Sequence, residues 1–351
     1  MRVKEFQAFL QEKKVDASIL VSIGMEPDPN FFYFTGYEGA GALIIPKSGR
    51  PLLLAPKMEQ ERARKSRIKS VKILEKKRLF DSVREHAGRA KKIGMDGSAL
   101  ALNAAKALRK SFRKARTIDV SRKIRELRTI KTMEEISYIR RSCREADSIL
   151  QQCLKNFREF RTESEAAAFL QHEALKRGLD VPFRPIVASG KHASMPHHAP
   201  QSTKLNKGLC VIDFGVKVKG YCSDMTRTIG IGSVPPAQRK KYQKLLGVQQ
   251  QAMASATDAM KCSLIYDGVI RALGKDAPYF THGLGHGIGV EIHELPNLTT
   301  SSIDRMQKSM AFTVEPGIYY PKKFGIRIED SVLLATRPEQ LTKTTKELII
   351  I

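Results

Sequence analysis

The sequence predicts an α+β protein of two domains, an N-terminal α/β domain over residues 1–122 and a C-terminal α+β domain over residues 123–351. Length carries the domain count, because 351 residues exceed what one hydrophobic core usually organises. Alternating strand-like and helix-like segments carry the first domain. A change of texture near Ile124, where a long amphipathic stretch begins and strands later cluster, carries the boundary and the second domain.

In chain order the first domain reads as a helix over 3–14, strand DASILVS, a turn around Pro27-Asp28-Pro29, strands GALIIP and PLLLAP, a helix over 57–66 and strand SVKIL. A short strand in KKIGMDG and a helix in ALNAAKALRKSF complete it. The strand runs are short and rich in Ile, Leu and Val, and Gly, Pro or Asp bound several of them. Helices between them imply a mixed or parallel sheet. No Gly-rich phosphate loop opens any of these helices, so no nucleotide site is expected here. In the second domain RELRTIKTMEEISYIRRSCREADSILQQCL places apolar residues at three and four spacing, with Thr132 as helix N-cap ahead of Glu134 and Glu135. A helix over 163–178 ends at Gly178, and strands dominate from Pro182. Helices over Pro236–Ala259 and 264–274 interrupt them before strands resume at Gly283.

An apolar fraction of 42% and a charged fraction of 28% fit a soluble globular chain rather than a disordered one. No run approaches the ~18 apolar residues of a spanning helix. MRVKEFQAFLQEKKVD lacks the apolar core and cleavage site of a secretory signal, so the cytoplasm is the expected location. Five cysteines without a CxxC pair read as small buried hydrophobes, with Cys210 and Cys222 near enough to acidic residues to leave a thiol ligand as the alternative. More than half of the +25 net charge lies in residues 1–122, notably in ERARKSRIK and ALRKSFRKAR. A nucleic-acid partner would explain it, but the basic residues alternate with apolar ones at helical spacing and few aromatics lie among them, so a solvated basic surface is the reading.

Chemistry concentrates in the second domain. CVIDFGVKVKGYCSDMTRTI holds two strand-like runs around a Gly-containing turn, with Asp213 in one and Asp224 eleven residues on. An ionised carboxylate inside an apolar run costs several kcal/mol unless paired or metal-bound, so Asp213 is either a hard oxygen ligand or the partner of a base such as Arg227. THGLGHGIGVEIHELP puts His282, His286 and His293 within twelve residues, with glycines that allow close approach and neutral imidazoles that suit divalent transition metals. Glu315 in AFTVEPGIYY and Glu329 in FGIRIEDSVLL repeat the oddity of Asp213. Period two places Arg327 on the face of Glu329, where it would orient that carboxylate, while Asp330 reads as a surface acid. Two aspartates, a histidine and two glutamates suit a pair of divalent ions.

The order Asp213, Asp224, His286, Glu315, Glu329, in the words DFG, SDMTRT, HGLGHGIG, EPGIY and GIRIED, resembles the pita-bread metallopeptidases, in particular their Xaa-Pro aminopeptidase and prolidase branch. NFFYFTGYEGAGALIIP looks like that branch's creatinase-like N-terminal domain, and LRTIKTMEEISYIR like its linker. The resemblance implies that those five residues bind two divalent ions per subunit, manganese or cobalt ahead of iron or zinc. It further implies that Glu315 and His293 act in catalysis, Glu315 as proton carrier and His293 as donor to the intermediate. His197 in IVASGKHASMPHH, rather than His198, would touch the substrate or intermediate, His282 would line the substrate site with Arg327 nearby, and His192 and His198 would have surface or structural roles. The substrate it implies is a peptide with proline at the second position, and the state a homodimer.

Two departures matter. Some prolidases follow HExP with an arginine for the dipeptide carboxylate, whereas this chain has HELPN with Asn297, which leans toward an aminopeptidase acting on longer peptides; a prolidase using Arg305 or a partner subunit is the alternative. Ser309 stands where the family usually has glycine. Catalytically silent binding proteins of the same fold, metal-free creatinase-like hydrolases and methionine aminopeptidases are the rival readings. Intact ligands disfavour the first two, and the N-terminal domain disfavours the third.

Overall fold

The computed structural model describes residues 2–23, 28–75 and 78–351, and the chain forms two compact units, Met1–Arg128 and Thr129–Ile351. In the first, β1 (Ala17–Ser22), β2 (Gly41–Pro46), β3 (Leu52–Pro56), β4 (Ser70–Leu74), β5 (Lys92–Met95) and β6 (Arg116–Asp119) build one sheet in the order β4-β3-β2-β1-β5-β6. The β1–β2 and β2–β3 pairs are antiparallel and the other three parallel, so the sheet is mixed. All six residues of β1 are buried, Ser18 and Ser22 included, as expected of a strand covered on both faces. Around the sheet run α1 (Arg2–Glu12), α2 (Pro29–Thr35), α3 (Gln60–Arg64), α4 (Leu79–Ala87) and α5 (Leu102–Ser111).

Helix α2 is a difference from the sequence expectation. Asp28 Oδ1 accepts the Phe31 N–H at 2.7 Å, Pro29 occupies the first helical position, and Gly36 ends the helix at φ 60°. Of the turn expected around Pro27-Asp28-Pro29, Pro27 lies outside the described residues, and Asp28 and Pro29 start this helix. Helix α4 was likewise not expected.

The single amphipathic stretch expected from Ile124 is two helices, α6 (Ser121–Thr129) and α7 (Met133–Lys155). The break follows from a reciprocal cap: Thr132 Oγ1 accepts the Glu135 N–H and Glu135 Oε2 accepts the Thr132 N–H at 2.6 Å. Helix α8 (Glu163–Lys176) is capped by Thr162 and followed by Gly178 at φ 68°. Strands β7 (Ile186–Ser189), β8 (Gly208–Phe214), β9 (Lys217–Val218), β10 (Tyr221–Cys222) and β11 (Met225–Ile231) come next, with antiparallel order β11-β8-β7. After α9 (Pro236–Ser255) and α10 (Cys262–Leu273) come β12 (Gly285–Gly287), β13 (Glu294–Leu298), β14 (Ala311–Val314), β15 (Gly317–Tyr320), β16 (Phe324–Arg327), β17 (Asp330–Leu334) and β18 (Pro338–Gln340). Five of these form the sheet β13-β12-β14-β17-β18, and β15 pairs with β16.

Two apolar cores flank these strands. Ile149 and Leu150 of α7 and Leu170 of α8 pack with Ile212 and Phe214 of β8. Leu245 of α9 and Val269 of α10 pack with Phe312, Ile326 and Val332. All five cysteines are buried, and no disulfide links them among the described residues. No helix among the described residues is long and apolar enough to cross a membrane.

Candidate metal centre and active site

The five acidic and imidazole side chains singled out above sit at strand ends or links. Asp213 is the penultimate residue of β8, Asp224 directly precedes β11, His286 is the middle of β12, Glu315 directly follows β14, and Glu329 lies between β16 and β17. All five line one cavity of about 490 Å³, together with His197, His282, His293 and Arg327. The glycines around His286 let that strand enter: a Cβ at Gly285 would lie 2.0 Å from the Thr313 carbonyl oxygen, and one at Gly287 would lie 2.1 Å from that of Leu295.

Burial, with mutual repulsion added to it, sets the electrostatics of this cluster. Burial, then the neighbouring carboxylates Glu329, Asp213 and Glu315, push the Asp224 pKa well above the usual range. Burial and then Glu315 and Asp213 do the same to Glu329. Burial lifts Glu315 to about 8 even though Arg327 pulls it down. Three carboxylate oxygens, Asp213 Oδ1, Asp224 Oδ1 and Glu329 Oε1, are buried with no hydrogen-bond partner among the described residues. His286 Nδ1 lies 3.1 Å from the Gly287 carbonyl, which assigns its proton there, and burial drops the ring's pKa to about 3. Its bare Nε2 then faces Asp224 Oδ2 at 3.6 Å and Glu315 Oε1 at 3.4 Å, an acceptor set among acceptors. Ligand atoms of Asp224, His286 and Glu329 all lie within 4.8 Å of one another. Orphaned oxygens, mutual repulsion and an imidazole lone pair pointing at carboxylates are what divalent cations would relieve, so the residues present fit such ions.

Arg327 does not pair with Glu329 as period-two reasoning predicts. Its Nη2 donates to Asp213 Oδ2 at 2.6 Å, and its Nη1 to Tyr319 Oη at 2.9 Å and the Pro196 carbonyl at 3.2 Å. Strand β16 ends at Arg327, so alternation does not carry across Ile328 to Glu329. Thr226 Oγ1 supplies the missing link, accepting from Arg327 Nε at 3.0 Å and donating to Glu329 Oε2 at 2.7 Å. Arg227, the alternative partner of Asp213, instead bonds Asp330 at 2.7 Å with both side chains buried, and Asp330 is no surface acid.

The histidines divide by environment. His282 Nδ1 lies 2.7 Å from the Gly283 carbonyl and Nε2 2.9 Å from Tyr319 Oη, and burial followed by Arg327 lowers its pKa to about 4. This closes a chain from Asp213 through Arg327 and Tyr319 to His282. His293 is exposed, packs edge-on at 4.2 Å from the His286 ring, and titrates below the usual range through partial burial and then His197. His197 is exposed on the cavity wall. His198 is buried and lies 2.7 Å from Glu163 Oε2, while His192 lies 2.9 Å from Glu163 Oε1. Thr226 and Tyr319 lie within the words SDMTRT and EPGIY but were not singled out, and Glu163 carries no local sequence signal; Phe183 and Arg184, also on the cavity wall, lie just before the IVASG segment and could have been found by that proximity.

Residues 137–336 match Metallopeptidase family M24, and residues 2–130 match the Creatinase/Prolidase N-terminal domain. An Xaa-Pro dipeptidase of Pyrococcus furiosus is 32% identical over 360 residues, covering 99% of each chain. The solved prolidase of Pyrococcus horikoshii superposes with a TM-score of 0.91 at 30% identity over 99% of each chain. The X-Pro aminopeptidase of Thermotoga maritima superposes at 0.90 with 26% identity, over 96% of this chain and 98% of that one. The chain belongs to metallopeptidase family M24, the pita-bread peptidases it resembles in sequence, with a creatinase-type domain ahead of the peptidase domain.

Proposed function

We propose that this chain is an Xaa-Pro dipeptidase, hydrolysing the amide bond between an N-terminal residue and a C-terminal proline, with two divalent ions held by Asp213, Asp224, His286, Glu315 and Glu329. The observation that carries the reading is the convergence of these five side chains on one cavity, three of their buried oxygens lacking a donor. Four carboxylates with one imidazole suit manganese, cobalt, iron or zinc alike, availability deciding among them, and manganese or cobalt is favoured on the family resemblance.

The lean toward an aminopeptidase rested on Asn297. Relatives named Xaa-Pro dipeptidase along the whole chain support the shorter substrate instead. So does Arg184, which lines the cavity, is exposed, and makes no hydrogen bond or ion pair among the described residues, leaving a guanidinium available for a terminal carboxylate. Arg327 is already committed to Asp213, Thr226, Tyr319 and Pro196. Phe183 and Pro196 offer apolar wall for a proline ring.

When bound, the ions supply Lewis acidity at the scissile carbonyl and make water acidic near neutral pH. Glu315 takes the proton of the attacking water and returns it to the prolyl nitrogen. His293 donates to the oxygen that gains charge as the carbonyl becomes tetrahedral. His197 and His282 hold the substrate, and Arg327 fixes Asp213 at the site's edge. A homodimer, implied by the resemblance, and the cytoplasmic location expected from the sequence belong to the same proposal.

Parallel assays of Ala-Pro and Ala-Pro-Ala with the manganese-loaded protein test this reading. It expects the dipeptide to be cleaved and the tripeptide spared. Preference for the tripeptide would make the protein an aminopeptidase, and cleavage of neither would favour a silent binding protein.

A further inference from the structure

Glu163 opens helix α8, yet its side chain is fully buried. Its Oε1 accepts from the Ser189 N–H and hydroxyl, both at 2.8 Å, and meets His192 Nδ1 at 2.9 Å. Its Oε2 meets His198 Nε2 at 2.7 Å and accepts the Gln201 N–H at 3.2 Å. The two imidazoles stack with centroids 4.5 Å apart. Every one of these partners lies between residues 189 and 201. That segment carries His197 on the cavity wall, and His198 lines the same cavity while its ring reaches back to Glu163. Further anchors are the Pro200 and Gln201 carbonyls, which accept from Ser164, Ser194 Oγ, which accepts the Lys322 N–H, and the Pro196 carbonyl, held by Arg327, which in turn holds Asp213.

Glu163, His192 and His198 also bring their ligand atoms within 4.8 Å of one another, the spacing of a metal site. The chemistry argues otherwise. Both carboxylate oxygens already accept backbone or hydroxyl protons, and the contacts of 2.7 and 2.9 Å to the rings are hydrogen-bond lengths, in contrast to the donor-free oxygens of the main cluster. Burial alone would raise the pKa of Glu163, but the bonds from Ser189, His198 and His192 outweigh it and hold the group ionised.

We infer that Glu163 is a positioning residue: by gripping the segment on both sides of His197, it holds that imidazole at the cavity wall where the substrate binds. The inference rests on the proposed substrate contact of His197, so its test includes a readout independent of turnover. A double-mutant cycle with Glu163→Gln and His197→Ala addresses the coupling. If Glu163 acts through His197, Glu163→Gln alone costs on the order of 10- to 100-fold in kcat/KM for Ala-Pro, as a small misplacement does. Added to His197→Ala it costs nothing further. Equal proportional losses in both backgrounds would overturn the inference.

Should Glu163→Gln fail to fold, His198→Gln, whose amide N–H can still reach Oε2, is expected to keep most activity where His198→Leu loses it; equal losses would overturn the inference. Independently of any activity, histidine-labelled full-length protein is expected to show the His197 ring resonances displaced in Glu163→Gln or His198→Leu, with those of His172 on the exposed side of α8 unmoved. Unmoved His197 resonances would overturn the positioning role even if the peptidase reading stands. Displaced ones would support it even if Ala-Pro is not a substrate.

Discussion

Replacing Thr226 by valine removes one hydroxyl and almost no volume, from a residue with no exposed surface. That hydroxyl donates to Glu329 Oε2 at 2.7 Å and accepts from Arg327 Nε at 3.0 Å. Glu329 Oε1 has no donor, so the substitution strips the carboxylate of its one side-chain hydrogen bond among the described residues. A hydrogen bond to a charged group contributes about 1.5–3 kcal/mol. At ~1.4 kcal/mol per decade that is about 10- to 100-fold in an equilibrium constant, the same range seen when groups orienting metal ligands are removed. Calorimetric titration of chelator-stripped protein with manganese is therefore expected to show affinity weakened about 10- to 100-fold by Thr226→Val. Ala-Pro turnover at subsaturating metal should fall in parallel and recover at high manganese. Stability without metal should change less, by about 1 kcal/mol, because Glu329 is pushed toward its neutral form there. Manganese affinity within twofold of wild type would refute the claim that Thr226 orients a metal ligand.

Three further substitutions probe separate parts of the account. Arg227→Met removes the buried partner of Asp330 and the donor to the Thr344 and Glu329 carbonyls; since Lys346 stays 2.7 Å from Asp330 Oδ2, a loss near the lower end of about 3–5 kcal/mol is expected. Urea unfolding measures it, and a loss under ~1 kcal/mol would contradict the burial argument. Ser309 has φ 70°, so Ser309→Gly should relieve about 1 kcal/mol of left-handed backbone cost and raise the urea midpoint; a lowered midpoint would show the serine compensating elsewhere. Glu315→Gln should abolish Ala-Pro turnover with the circular dichroism spectrum unchanged, and near-normal turnover would remove Glu315 from the proton-transfer role.

Much of the site was legible because desolvation leaves a mark in sequence. Asp213, Glu315 and Glu329 stand out as carboxylates in apolar strand runs, and the glycines around His286 announce a close strand approach that the Thr313 and Leu295 carbonyls explain. The partners were not legible. Arg327 and Glu329 share a face only if one strand contains both, and the link after Arg327 breaks that alternation. Asp330 resembled a surface acid because its partners, Arg227 and Lys346, come from outside its strand. Glu163 is an ordinary first-turn helix glutamate in sequence, and nothing local indicates that two histidines 29 and 35 residues away close over it. In the first unit, Asp28-Pro29 reads equally well as a turn or a helix start, and packing of the aromatic residues that follow decides for the helix.

The most direct test of the central claim is metal uptake measured together with turnover. Chelator-stripped protein titrated with manganese is expected to bind two ions per chain and to gain Ala-Pro hydrolysis as they bind, with both lost in Asp224→Asn. Ala-Pro hydrolysis at full rate in protein holding no divalent metal, or two bound ions with no hydrolysis of any Xaa-Pro peptide, would contradict the account.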